Sequence, residues 1–320
     1  MKKIIFLPLL FILILSGCDS FRKTEPITAD QLKLLSYMPQ QFQYVTYINV
    51  DELRKTGFWE SFFKPELEKN DYMGWFSGFE KNSGIDLDNG ISEILISAGK
   101  SKKGVIGILF GKKKDEIENY FNNKNEFTSQ RLNGKLLFRK KDGSLPLYYF
   151  ADNSTLIVLS DTVYLGSIAA GRENSLIKNS KLIDVIKNIS NKKYYWMATN
   201  LPGYAGYLIR KTSGLNKNFP GSGLIRSIKS ITISASFPGN VELESILSCD
   251  ETRNAYLLSA AIKSYVAMDL FLHNHYSMEY ILKKIKVDRD GEKVNLSLKI
   301  QKDDLKKLES LTSNNMSNNL

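Results

Sequence analysis

The chain has 320 residues, of which 42% are hydrophobic and 24% charged, with only 8 prolines. That composition excludes a disordered or low-complexity stalk and leaves room for one large domain or two of ordinary size. The formal net charge of +10 suits a surface near anionic headgroups or acidic polymers, and equally a lysine-rich solvated face. No stripe of Lys and Arg interleaved with stacking aromatics accompanies it, so nucleic acid is not an expected partner.

Residues 1–18 read MKKIIFLPLLFILILSGC. Lys2 and Lys3 precede an apolar run over residues 4–15 that is too short to cross a ~30 Å hydrocarbon core as a helix, which is the pattern of an export signal. The box Leu15-Ser16-Gly17-Cys18 resembles the cleavage site of bacterial lipoproteins. That resemblance implies removal of residues 1–17, a diacylglyceryl thioether on Cys18, and a further acyl chain such as palmitate on its freed amine. It also implies a folded part outside the cytoplasm, in the cell envelope. Each buried CH₂ contributes about 0.8 kcal/mol, so two or three chains hold where one would not. Asp19 resembles an inner-membrane retention signal of some bacteria, and inner against outer membrane stays open. An ordinary signal peptide that happens to contain a cysteine is the alternative. Without Lys2 and Lys3 the net charge is 10 − 2 = +8.

The chain contains 2 cysteines. With Cys18 carrying lipid, Cys249 has no intramolecular partner, which excludes a disulfide framework. Cys249 follows the apolar run Ser245-Ile246-Leu247 and reads as a buried core thiol.

Residues 18–31 are polar, contain Pro26 and lack periodicity, and so read as a lipidated cysteine with a tether reaching about 40 Å when extended. Folded structure is expected from Leu32. Residues 44–50 (YVTYINV) read as a strand, with Asp51 starting a helix. An aromatic helical insert follows, in which Phe58/Phe62, Trp59/Phe63 and Trp75/Phe79 stand i, i+4. Residues 91–98 and 104–110 read as paired strands, and 112–122 as a helix. Two hairpins turn at Asn133-Gly134 and Asp152-Asn153. Asp161 and Ser180 are expected to cap helices over 162–170 and 181–189.

The plan then restarts. Residues 194–199 read as a strand, and Asn200 can cap a helix with Pro202 in its first turn. Residues 228–237 and 241–248 read as strands paired around Pro238-Gly239-Asn240. A helix from Glu251 carries the stripe Leu258, Ala261, Ile262, Tyr265 at core-facing spacing. The last hairpin, 280–287 with 293–300, turns at Asp288-Arg289-Asp290-Gly291; Val294, Leu296, Leu298 and Ile300 alternate with polar residues, so one face is buried and one wet. Residues 302–311 read as a closing helix and 312–320 as a disordered tail.

Ile91, Ile94, Ile96, Ser97 and Ala98 match Ile228, Ile231, Ile233, Ser234 and Ala235 in order and spacing. The expected fold class is therefore α+β, with two similar domains, 32–190 and 191–311, each an antiparallel sheet of hairpins with packed helices, arisen by internal duplication. Coincidence in strands of biased composition is the alternative. Met38-Pro39 followed by Tyr47-Ile48-Asn49-Val50, an aromatic helix and the repeated strand plan resembles a loose group of uncharacterised bacterial envelope proteins with duplicated domains. That resemblance brings no catalytic residues.

The sequence holds no His-Glu-x-x-His helix, phosphate-binding Gly loop, Gly-x-Ser-x-Gly elbow or Cys-x-x-Cys. Its 2 histidines, His273 and His275, point apart on the helix expected there. Asp86-x-Asp88-Asn89-Gly90 is short of a calcium loop and reads as a turn. Lys100, Lys102 and Lys103 are expected at the opposite end of a hairpin from Lys112, Lys113 and Lys114, so they form no single patch. No metal or cofactor is expected and no catalytic residue is nominated. Trp59, Phe62, Trp75 and Phe79 are the candidate binding residues, with an apolar groove or partner surface as the functional reading and ordinary core as the alternative. The functional expectation is a membrane-anchored envelope lipoprotein, a non-catalytic binding or assembly module that meets the membrane through the lipid on Cys18. An envelope protein or an apolar ligand is its expected partner. A carrier of an apolar ligand, or an enzyme of unrecognised type, is the alternative.

Overall fold

The computed structural model describes residues 24–60, 64, 90–99, 103–110, 114–200, 222–237, 239–272 and 283–301. Twelve strands join in one sheet, every neighbour antiparallel: β1 (Tyr44–Asn49), β2 (Ile91–Ala98), β3 (Gly104–Phe110), β4 (Phe127–Leu132), β5 (Lys135–Lys140), β6 (Leu147–Asp152), β7 (Thr155–Leu159), β8 (Tyr195–Thr199), β9 (Ile228–Ser236), β10 (Asn240–Cys249), β11 (Ile285–Asp290) and β12 (Lys293–Gln301). The seam is the pair β1–β8. Outward from it one half runs β1-β2-β3-β7-β6-β5-β4 and the other β8-β9-β10-β12-β11. The two isoleucine-rich strands, β2 and β9, are each second from the seam. One continuous sheet thus runs through both expected domains.

Side-chain alternation tells which strands have one covered face. On β12 only Val294 and Ile300 are buried, and the residues between them are half-buried or exposed, as for a sheet with one wet face. β6 (LYYFAD) and β7 (TLIVL) are buried almost throughout, because both faces of the first half are covered. Over one face lie α1 (Ala29–Leu35), α4 (Leu165–Ala169) and α5 (Ser180–Lys187), which contribute Leu34, Leu35, Ile168, Leu182 and Ile186. Over the other lie α2 (Val50–Arg54) and α3 (Lys114–Asn123), which contribute Val50, Leu53, Ile117 and Phe121. The second half is covered on that latter face by α6 (Ser222–Arg226) and α7 (Thr252–Leu272), packed around Ile231, Val287 and Val294.

Aromatic stacking organises the first half. Phe121 on α3 stands 4.9 Å from Phe127, 5.0 Å from Phe138 and 4.7 Å from Tyr148, tying the helix to β4, β5 and β6. Each such pair contributes about 0.5–1.5 kcal/mol beyond burial. At the seam Tyr47 stacks on Trp196 at 5.5 Å. α1 approaches β3 at Gly107, where a Cβ would lie 2.7 Å from Met38 Cε and 3.0 Å from Leu34 Cδ2; glycine is what lets the helix settle there.

Several expectations shift. Residues 24–31 are not wholly tether: α1 begins at Ala29, and Thr28 and Gln31 close a capping box, each side chain bonding the other's backbone N–H. α2 is capped by Asn49 and α5 by Asn179, one or two residues before the expected starts, because an amide oxygen there already accepts from the third helical N–H. Residues 162–170 divide into a 3₁₀ turn, Thr162–Tyr164, capped by Asp161, and α4. The turn at β6–β7 falls on Asn153-Ser154, since Asp152 still pairs with Thr155. The last turn falls on Gly291-Glu292, where Gly291 supplies the positive φ of 53°. On α7 Leu258 is buried with Ala255 and Ser259, whereas Ala261 and Tyr265 are exposed, Tyr265 by 59%. β11 and β12 meet the helix along the Ala255–Leu258 side, and that contact outranks the stripe's spacing.

Candidate functional site

Two departures from regular pairing coincide beside the β6–β7 turn. β5 pairs with β6 only at Leu137↔Tyr149 and Phe138↔Tyr148, so the tip of the β4–β5 hairpin separates from the end of β6. On its other side β6 carries a register shift between Phe150 and Asp152, a bulge at Ala151 that re-aims the following residue. A cleft of about 440 Å³ opens in this split. Its walls come from Tyr37, from α3, from the hairpin tip and from the end of β6.

The walls are held locally. Asn133 and Gly134 take positive φ of 50° and 78°, the two-residue turn that suits the twist of a hairpin. Asn133 Nδ2 donates to the Ala169 carbonyl at 3.1 Å, which fastens the hairpin tip to α4. Arg131 Nη1 donates to the Gly134 carbonyl at 2.8 Å. The Lys135 ammonium sits over the Tyr37 ring, 5.8 Å from its centroid. On α3, Lys114 and Glu118 pair at 2.9 Å with the i, i+4 spacing.

Asp152 sits on one wall with its acceptors filled. Oδ1 accepts from the Ser154 N–H at 2.8 Å and the Ser154 hydroxyl at 3.1 Å. Oδ2 accepts from the Tyr37 hydroxyl at 2.8 Å and the Thr155 hydroxyl at 3.1 Å, and pairs with Lys33 at 3.2 Å. Lys33 also donates to Ser154 Oγ at 2.7 Å. Burial pushes the Asp152 carboxyl up, but the donors from Ser154, Tyr37 and Lys33 outweigh it and hold the group below the ordinary carboxylate value. Burial, and then the adjacent carboxylate, push the Tyr37 phenol well up, so it stays a neutral donor.

A second polar cluster lies under α1 at the seam. Burial pushes the Glu93 carboxyl up to about 7, opposed by the Tyr47 hydroxyl and assisted by the charges of Asp30 and Asp51. Glu93 Oε2 and Trp196 Nε1 are buried without hydrogen-bond partners among the described residues. Gln31 Nε2 donates to the Lys192 carbonyl at 2.8 Å. The Lys192 side chain is itself buried, its ammonium donating to the carbonyls of Glu25 and Ile189. A shallower depression of about 510 Å³ beside Gln40, Asn174, Lys178 and Lys181 is bordered by polar side chains, with Lys178 and Lys181 its only charged groups.

Of the binding residues expected from sequence, Trp59 is fully buried, in the core with Val50, Leu53 and Ile94. Its ring is packed rather than presented, with the Arg54 guanidinium 6.0 Å from the centroid. Phe58 packs against Phe237 with ring centroids 4.8 Å apart and planes tilted by 42°. Phe62, Trp75, Phe79 and Cys18 lie outside the described residues, as do His273, His275, Asp86, Asp88, Lys100, Lys102, Lys112 and Lys113. Lys103 pairs with Asp161, and Cys249 is buried, its thiol pushed up by burial. Among the described residues no three His, Cys, Asp or Glu side chains stand close enough to hold a metal ion, and no helix is long and apolar enough to cross a membrane. Sequence reading missed Lys33, Tyr37, Arg131, Lys135 and Asp152 as a group. Asn133-Gly134 did mark the first of its two turns and Asp152-Asn153 fell one residue short of the second, but nothing local links them to Tyr37, since Tyr37 and Asp152 are 115 residues apart.

No family model matches the chain, and no curated protein matches it. Among solved structures it is similar to TP0453, from "Structure of crystal form I of TP0453", at 9% identity and a TM-score of 0.47, over 90% of this chain and 98% of that one. A likeness of that size carries no argument about function.

Proposed function

We propose that this chain is a lipid-anchored protein of the bacterial cell envelope that acts as a non-catalytic binding or assembly module. The observation that carries the binding reading is the cleft in the split sheet, where Tyr37 and side chains from α3 and two hairpins line one opening. Its reactive groups are engaged structurally: Asp152 accepts from five donors, and Ser154 Oγ lies between Lys33 and Asp152. A site meant to bind is preorganised in this way, whereas a nucleophile needs a base free to take its proton.

The anchor reading rests on residues 1–18 and gains support from the start of the described chain. Glu25 N–H donates to the Ser190 carbonyl at 3.2 Å, and its carboxylate accepts from Lys192 N–H. Glu25 stands seven positions after Cys18, so a lipid on Cys18 would hold the seam of the sheet within about 25 Å of the bilayer surface. The matching strand orders on either side of β1–β8 support an origin of the two halves by duplication, with the β4–β5 hairpin as an addition to the first.

Expression of the Cys18→Ala variant with labelled palmitate tests the anchor. Loss of label and release from the membrane fraction are expected; a variant that keeps its label overturns the reading.

A further inference from the structure

The two edges of the twelve-stranded sheet differ in how they are guarded. At one edge β11 (IKVDRD) carries charge on Lys286, Asp288, Arg289 and Asp290, and charges along an edge discourage pairing with another chain. At the other edge β4 (FTSQRL) carries a single charge, Arg131, with neither a proline nor a bulge. Thr128, Ser129, Gln130 and Arg131 are all exposed, so both faces of the strand are open there.

The hydrogen-bond phase of the hairpin fixes which main-chain groups point outward. The two-residue turn makes Leu132 and Lys135 the closing bonded pair, and alternation then turns the N–H and C=O of Gln130 and Thr128 toward β5 as well. The bond from Lys141 N–H to the Glu126 carbonyl at 2.8 Å continues the same phase. The main-chain groups of Ser129 and Arg131 therefore face away from the sheet, without a partner among the described residues. Phe127 faces the same way, but its N–H is taken by the Lys124 carbonyl at 3.1 Å. Asn133 holds the hairpin tip on the Ala169 carbonyl, so this open edge is presented in a fixed position.

We propose that β4 is a self-association edge, at which a second copy of this chain pairs its own β4 antiparallel, about a two-fold axis at Gln130. Two-fold contacts are the commonest form of assembly, and the outward groups select where the axis falls. Moving it toward Ser129 needs the Phe127 N–H, which is already bonded. Moving it to Arg131 sets the two guanidinium groups opposite each other, and like charges directly opposite are unfavourable. With the axis at Gln130, Ser129 stands opposite the partner's Arg131, and the outward N–H groups of both copies find carbonyls. A six-residue edge buries less than the roughly 800 Å² per partner of a standard interface, so the pairing is weak and follows concentration. The inference deepens the assembly reading by naming this chain as its own partner, and it depends on neither the lipid nor the cleft.

Cysteine cross-linking reads the register directly. At the axis the two copies of residue 130 form a non-bonded pair with Cα atoms about 4.5 Å apart, within the range a disulfide spans. The two copies of residue 128 lie four positions out of register, about 13 Å apart. The full chain in detergent micelles is oxidised with diamide over a range of concentrations, with the wild type as the blank for its native cysteines. Gln130→Cys is expected to give a covalent dimer that grows with concentration, and Thr128→Cys, equally exposed on the same strand, to stay monomeric. In the Gln130→Cys background, Ser129→Lys faces the partner's Arg131 with a like charge and should weaken dimer formation about fivefold, whereas Ser129→Glu should strengthen it. In the wild type, hydrogen exchange of the Ser129 and Arg131 amides should slow as concentration rises. Equal cross-linking at residues 128 and 130, the same direction of change for Ser129→Lys and Ser129→Glu, or a monomeric Gln130→Cys with unprotected amides overturns the proposal; the last is also what a different protein as the natural occupant would give. None of these outcomes touches the palmitate result at Cys18, so the edge and the anchor fail separately.

Discussion

Lys192 donates from a buried ammonium to the main-chain carbonyl of Glu25, 167 residues earlier in the chain. The same ammonium donates to the Ile189 carbonyl, while Lys192 N–H bonds the Glu25 carboxylate and its carbonyl accepts from Gln31. One residue therefore fastens the entry of the described chain and the start of α1 to the loop leading into β8. Burial draws the ammonium down to about 8, against the raising effect of the Glu25 charge. The carbonyls around it are what make burial of a lysine tolerable.

Lys192→Met keeps the volume of the stem and removes the donors. The carbonyls of Glu25, Ile189 and Lys187 then lose this donor, each at a cost of up to about 1–3 kcal/mol, partly offset because no charge is buried any longer. Net destabilisation of about 2 kcal/mol is expected, together with faster proteolytic cleavage within residues 24–28. A denaturant titration and a limited digest check both; unchanged cleavage would show that the clasp does not hold the segment.

Glu93 should make stability fall as pH rises. Its carboxyl is raised from 4.5 to about 7 in the folded chain, so between those values the native state binds more protons than the unfolded one. The slope of unfolding free energy with pH is then negative, and the contribution present below 4.5 is lost as pH passes through about 7. At roughly 1.4 kcal/mol per unit the full effect is about 3 kcal/mol. Glu93→Gln, which keeps shape and loses charge, should be more stable than the wild type at pH 8 and should flatten this part of the profile. Parallel melting profiles for the two proteins would sink the assignment.

Trp59 decides how the aromatic insert is to be understood where it is described. With no exposed surface and core neighbours on β1, β2 and α2, Trp59→Ala should cost about 3–5 kcal/mol. The midpoint of chemical unfolding reads this directly. A shift of less than about 1 kcal/mol is what a surface ring would give.

Much of the secondary structure was legible because it is local. The strands over 91–98 and 104–110 have the residue limits expected from their β-branched runs, and Asn133-Gly134 makes the expected two-residue turn, because positive φ is a property of those two residues alone. Helix starts moved by a residue or two where neighbouring side chains compete with Asn as caps, and sequence does not rank such close alternatives.

What tertiary structure alone decided is the company each residue keeps. That β1 and β8 pair to merge both halves into one sheet depends on contacts more than a hundred residues apart. Which ring on the stretch 58–59 faces the core depends on the helices and strands that close over it, since i, i+4 spacing defines a stripe but not its partner. The split at β5–β6 arises where a ladder stops and a bulge begins, and the polar groups around it come from Tyr37, α3 and two hairpins. The strand pattern is determined by consecutive residues and was written in the sequence. The cleft and the Lys192 clasp are not, because charge pairing and hydrogen bonding act through space and are fixed only when the chain has brought distant residues together.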